Sequence, residues 1–116
     1  MGRASKDKGK RGEREAAAAL SQVLGCEARR GVQYQGGPDS PDVQHSIDGL
    51  HIEVKRCEAL RLYEALEQAE ADAGPDVPVV LHRRNLKHWV AICGLDDLPG
   101  LVECLAPGLG WVRARQ

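Results

Sequence analysis

Pro41-Asp42-Val43-Gln44-His45-Ser46-Ile47-Asp48-Gly49-Leu50-His51-Ile52-Glu53-Val54-Lys55 holds two short alternating runs on either side of an Asp-Gly dipeptide. Such a dipeptide between alternating hydrophobic residues is a strong signal for a two-residue hairpin turn, because glycine supplies the positive φ the turn needs. With the turn at Asp48-Gly49, pairing outward sets Ile47 against Leu50, Ser46 against His51, His45 against Ile52, Gln44 against Glu53, Val43 against Val54 and Asp42 against Lys55. Side chains alternate across a strand, so two faces separate. Val43, His45, Ile47, Leu50, Ile52 and Val54 make an apolar face interrupted by one histidine. Asp42, Gln44, Ser46, His51, Glu53 and Lys55 make a polar one.

The polar face carries chemistry. Asp42 and Glu53 lie diagonally on it, close enough to share a hard cation, and magnesium takes one or two carboxylates with waters and substrate phosphate as its other ligands. A metal held there polarises a phosphate and lowers the pKa of a bound water. Lys55 can orient the nucleophile or offset charge on the transition state. Two carboxylates and an amine at strand spacing are what a magnesium-dependent phosphodiesterase needs. Glu-x-Lys on a strand is common when taken alone, and an exposed polar hairpin face is the bland alternative. The Gly36-Gly37-Pro38-Asp39-Ser40-Pro41 run before Asp42 and a further carboxylate upstream favour the catalytic reading.

That carboxylate is Glu13. From about Lys10 the pattern is helical, with Glu13, Ala16, Ala17, Leu20 and Leu24 on one stripe and Gly25 as a stop. An acid on the apolar stripe at a helix start usually has a partner, although complementing the helix dipole is an alternative role. Over Met1 to Arg14, the arm and the start of this helix, Arg3, Lys6, Lys8, Lys10, Arg11 and Arg14 outnumber Asp7 and Glu13. A basic arm of this kind attracts polyanions by counterion release. Residues 1–9 are expected to form a flexible basic arm and residues 10–116 one domain.

Further along, Cys26 to Tyr34 reads as a strand that carries Arg29 and Arg30 on opposite faces, so one of the two can reach DNA; which one stays open. Ala59 to Ala73 reads as a helix with Leu62, Ala65, Leu66, Ala69 and Ala73 inward and the acids Glu64, Glu67, Glu70 and Asp72 outward, ended by Gly74-Pro75. Gln68 is a polar residue of that helix able to approach the site. Val77 to His82 is an apolar run suited to a buried strand. Arg83, Arg84 and Lys87 gather at the following turn as candidate phosphate contacts, and Trp89 to Cys93 is the next strand. Asp96 or Asp97 caps a last helix that runs to about Leu105 with Leu98, Leu101, Val102 and Leu105 on its apolar side. Trp111, with Leu109 and Val112, lies in a glycine-rich end suited to packing on the domain or on a dimer partner. The order of helix, three strands, helix, two strands, helix predicts an α/β layer architecture, a central mixed sheet of about five strands flanked by helices, with a crossover that sets the fourth strand parallel to its neighbour.

Three spaced motifs are similar to those of a known family. Lys8-Gly9-x-x-x-Glu13-Arg14-Glu15 opening a helix, then Pro41-Asp42-Val43, then Ile52-Glu53-Val54-Lys55, resemble the archaeal-type Holliday junction resolvases of the PD-(D/E)XK nuclease superfamily, which has small phage members. The resemblance implies a restriction-endonuclease-like core. It implies that Glu13 is the helix-borne acid, that Asp42 and Glu53 bind magnesium (with manganese as a substitute) together with the Val54 carbonyl, and that Lys55 is the catalytic lysine. It also implies that Arg14 contacts DNA phosphate or stabilises the site. A homodimer acting on branched DNA, four-way junctions above all, and leaving 5′-phosphate and 3′-hydroxyl ends, follows from the same likeness. Asp39 stands as a rival to Asp42, and the chain has no phenylalanine.

At 116 residues with a formal net charge of −1, the chain is expected to form one domain with a modest core. It shows no signal-peptide pattern and no long apolar run, so a cytoplasmic protein of a bacterial, archaeal or phage-infected cell is expected, with no membrane partner. Its 4 cysteines lack Cys-x-x-Cys spacing, which argues against a zinc ribbon. Two other functions compete with a junction nuclease: a nuclease for flaps, nicks or plain duplex, and a DNA-binding module without catalysis.

Overall fold

Helix α1 spans Arg3–Leu24, so it begins well before Lys10. No apolar periodicity marks residues 3–9, yet Arg, Ala and Lys are good helix formers, and this part of the expected arm is helical backbone. A computed structural model describes residues 3–31 and 42–108, with residues 3–8 as backbone only. The expected extension of the first strand to Tyr34, the Gln35 to Pro41 loop with Asp39, and the Trp111 segment lie outside the described residues. Gly25, at φ 66°, stops α1 in the left-handed conformation that glycine tolerates best.

After α1 come β1 (Ala28–Arg30), β2 (Val43–His45), β3 (Leu50–Arg56), α2 (Leu62–Ala73), β4 (Val77–Arg83), β5 (Val90–Ile92), a 3-10 turn (Leu95–Asp97) and α3 (Leu98–Leu105). The helices and strands follow the predicted order. The sheet does not follow the expected plan. The described strands form two sheets, β1-β2 and β3-β4-β5, where one sheet of about five strands was expected.

The difference lies in the hairpin. Gly49, at φ 81°, does turn the chain, but among the described residues no ladder joins β2 to β3. Instead β2 runs antiparallel to β1, with Arg29 opposite Gln44 and Arg30 opposite Val43. The one-to-one register from Ile47–Leu50 out to Asp42–Lys55 is therefore corrected. Side chains and neighbouring strands take the groups such a ladder would use. Ile47 N–H donates to His45 Nδ1 at 3.1 Å, Val54 N–H donates to Asp42 Oδ2 at 2.8 Å, and the Gly49 carbonyl accepts from Val77 N–H at 2.8 Å. Local side-chain acceptors compete with a ladder in this way.

Beyond the turn, β3 lies parallel to β4, with Glu53 opposite Val80 and Arg56 opposite Arg83, and α2 forms the crossover as expected. β5 then runs antiparallel to β4. The core has two parts. Ala16, Ala17 and Leu20 of α1 pack with Val43, Leu50, Ile52, Val79 and Leu81, joined by Trp89, Leu101 and Leu105. On the other face, Ala65 and Ala69 of α2 pack with Val80, Leu60, Leu66 and Ile92. Layers of α1, sheet and α2 result, and β3 is covered on both sides. The four cysteines are unpaired and half-buried, as expected of small packing residues. Among the described residues no helix is long and apolar enough to cross a membrane.

Candidate active site

β3 is an edge of its sheet, and the acids gather along that edge, where β2 approaches without pairing. Alternation sends Leu50 and Ile52 toward α1 and leaves His51 and Glu53 toward α2, both buried at 6% and 4% exposure. A buried carboxylate is expensive unless it is bonded. His51 Nε2 lies 3.1 Å from Glu53 Oε1, and Asp42 and Asp72 also hydrogen-bond to Glu53. Asp42, at the foot of β2, is held in place by the Val54 N–H.

From α1, Glu13 adds a third carboxylate, whose charge is felt by Asp42 and which itself feels Glu53. Its side chain is 18% exposed and lies 3.9 Å from Arg30 Nη1. Gly12 brings α1 this close: a Cβ there would meet Arg56 Cβ at 2.7 Å, too near for two carbons. Lys55, two residues after Glu53 on the same strand face, donates from Nζ to Gln68 Oε1 of α2 at 2.8 Å.

The electrostatics follow from crowding. Burial first, then the Glu53 and Glu13 charges, push the Asp42 carboxyl up to about 7, against the pull of the Val54 N–H. Burial would also raise Glu53, but hydrogen bonds with His51, Asp42 and Asp72 overcome it and hold Glu53 below the usual range. The Glu53 hydrogen bond raises His51, against its burial. Burial raises Glu13, with Arg30 opposing and Glu53 adding. Crowding of the half-buried Asp42 against the buried Glu53 thus favours the protonated Asp42 carboxyl. A cation could take the proton's place.

Among the described residues no three His, Cys, Asp or Glu side chains form a ready-made cation cage. The pair Asp42–Glu53 is an all-oxygen donor set, and magnesium asks for one or two carboxylates, so the residues present fit that ion.

The structure therefore brings Glu13, Asp42 and Glu53 together, and Lys55 follows Glu53 on the same strand face with its ammonium on Gln68. Of the basic residues, Arg30 faces Glu13, while Arg29 is exposed and donates to Gln44 Oε1 at 3.1 Å. Lys10, Arg11 and Arg14 are exposed on α1, as are Arg84 and Lys87. The Lys8 side chain lies outside the described residues. Arg83 is not a free cation: it is paired with Glu15 and donates from Nε to the Lys87 carbonyl at 2.6 Å.

Sequence reasoning assigned no role to His51 and turned Asp72 outward. Ala65, Ala69 and Asp72 stand at i, i+4 and i+7, a spacing that puts Asp72 on the packed side of α2; that signal was present. The network of Glu15, Arg56, Arg83 and Glu58 joins distant segments and has no local signature.

Comparison with known proteins adds nothing to this picture: no family model, no curated protein and no solved structure matches the chain.

Proposed function

We propose that the protein is a magnesium-dependent DNA endonuclease of the PD-(D/E)XK kind, acting on branched DNA and most of all on four-way junctions. The observation that carries the reading is the contact of Asp42 with Glu53 beside Glu13, with Lys55 on the same strand face. The motif order and the α–β–β–β–α–β–β–α sequence of elements support a restriction-endonuclease-like core whose sheet is split at β2 and β3.

In this reading Asp42, Glu53 and the Val54 carbonyl would hold the ion. When bound, magnesium polarises the scissile phosphate and makes a bound water more acidic. The remaining work falls to the chain. The Lys55 ammonium, which donates to Gln68, orients the attacking water and offsets negative charge that develops on the phosphate. Glu13, restrained by Arg30, accepts a hydrogen bond from that water. His51 and Asp72 fix the Glu53 rotamer. Lys10, Arg11, Arg14, Arg84 and Lys87 supply exposed charge for DNA phosphates. A homodimer places two such sites on the two strands of a symmetric junction.

The test is a labelled four-way junction beside a linear duplex of equal length, each with magnesium and with EDTA. Magnesium-dependent cuts in the junction, leaving 5′-phosphate ends, are expected. Equal cutting of both substrates would reassign the protein as a general duplex nuclease. Binding without cutting in any divalent ion would leave a DNA-binding module.

A further inference from the structure

Leu86 occupies the tip of the β4–β5 turn and is 96% exposed. Its φ is 64°, the only positive value at a non-glycine residue among the described residues. The turn closes with Lys87 N–H donating to the Arg84 carbonyl at 3.2 Å, so Leu86 is its third residue, where a positive φ favours glycine. A branched apolar side chain in that place loses on two counts: its backbone is disfavoured, and its side chain is in water. Strain of this kind persists only where the surroundings enforce it, and it concentrates at functional sites.

The surroundings do enforce it. Asn85 N–H donates to Glu58 Oε2 at 2.7 Å, and Arg56 Nη2 donates to Asn85 Oδ1 at 2.9 Å. Arg83 Nε donates to the Lys87 carbonyl at 2.6 Å, and Glu15 of α1 pairs with both Arg56 and Arg83. The tip is thus braced from β3, from the segment after it and from α1. Beside Leu86, Arg84, Lys87 and His88 are exposed, and no ion pair engages Arg84 or Lys87 among the described residues. The tip also rises at the same end of the sheet as the acids. Arg56, opposite Arg83, is three residues beyond Glu53, a run of roughly 10 Å at strand rise.

We propose that Leu86 is a wedge that enters an opened base step of the DNA while Arg84 and Lys87 hold the flanking phosphates. Apolar side chains that part base steps are a known device of DNA-bending proteins, and a rigid tip is what that use requires. A protein partner fits less well, because a lone leucine among cations offers little apolar area. The inference rests on the DNA-processing reading above and deepens it: the recognised feature is unstacked DNA, which a branch point supplies and a plain duplex must be forced to give.

The test uses the full-length protein in EDTA, so that no cutting is required, with a four-way junction carrying 2-aminopurine at the branch and a duplex carrying it at the centre. At saturation the wild type should raise junction emission severalfold. Leu86→Gly keeps the turn conformation and removes the wedge; it should melt at the same temperature or higher, lose most of the emission rise, and lower the junction-to-duplex affinity ratio about tenfold, the order of one lost stacking contact. Leu86→Met should retain the emission. An unchanged rise in saturated Leu86→Gly, or no rise in the wild type, overturns the wedge, and so does failure to bind DNA at all. Parallel cutting assays in magnesium separate the two readings: cutting without unstacking removes the wedge alone, and unstacking without cutting removes the nuclease alone.

Discussion

Asp42→Asn should stabilise the metal-free protein at alkaline pH while removing the proposed cleavage activity. In the folded chain the Asp42 carboxyl is raised from 3.8 to about 7 by burial and by the Glu53 and Glu13 charges. A raised acid contributes its full stability below its unfolded value and loses it as pH climbs through the folded one. The loss therefore runs from about pH 4 to about pH 7. At about 1.36 kcal/mol per pH unit it reaches about 4 kcal/mol by pH 8, of which about 3 kcal/mol accrues above pH 5. Glu53 is shifted the other way, but its contribution changes below about pH 5 and leaves this window untouched. Asp42 is only half-buried, and solvent screening reduces the expected effect to about 2 kcal/mol. Asparagine keeps an acceptor for the Val54 N–H and a donor for Glu53, but carries no charge. Urea melts in EDTA at pH 5 and pH 8 should show the variant gaining on the wild type by about 2 kcal/mol between the two, or roughly 8 °C in a thermal scan. Magnesium should narrow the gap at pH 8 by stabilising the wild type alone. A difference between the two proteins that is the same at both pH values would refute the crowded-acid reasoning.

Other substitutions test other parts. Lys55→Ala should lower turnover about a hundredfold, the cost of one lost electrostatic contact, while Lys87→Ala should weaken DNA binding with little change in single-turnover rate at saturation; equal effects would remove Lys55 from the site. Gly12→Ala should cost about 1–3 kcal/mol in urea melts, because its Cβ would collide with Arg56. Gly9→Ala, with open space around it, should stabilise α1 by about 0.5–1 kcal/mol; a reversed order would contradict the approach of α1 to β3. Removing residues before Lys8 should weaken DNA binding and flatten its dependence on salt, and an unchanged slope in filter binding would dismiss the arm.

How far the fold could be read from residues varied by element. Ala16, Ala17 and Leu20, and Ala65, Ala69 and Ala73, have the helical spacing that their burial later confirms, so both long helices were legible. The apolar run Val79-Val80-Leu81 marked a strand covered on both faces. The register of β2 was not legible, because His45 and Asp42 use side-chain acceptors on donors that a ladder would otherwise take, and alternation says nothing about such competition. The start of α1 was missed because polar helix carries no hydrophobic period. For the acids, a wrong pairing still led to the right neighbourhood: Asp42 meets the Glu53 strand through its carboxylate and the Val54 N–H. Gly12 and the Glu15–Arg56–Arg83 brace depend on contacts between distant segments, which one sequence does not display.

A divalent ion held between Asp42 and Glu53 is the centre of the proposed chemistry. Manganese titrated into the metal-free protein and followed by electron paramagnetic resonance would measure that directly. One bound ion per chain in the wild type, lost in both Asp42→Asn and Glu53→Gln while the variants remain folded, is the expected result. Equal uptake by all three proteins, or none by any of them in the millimolar range, would contradict it.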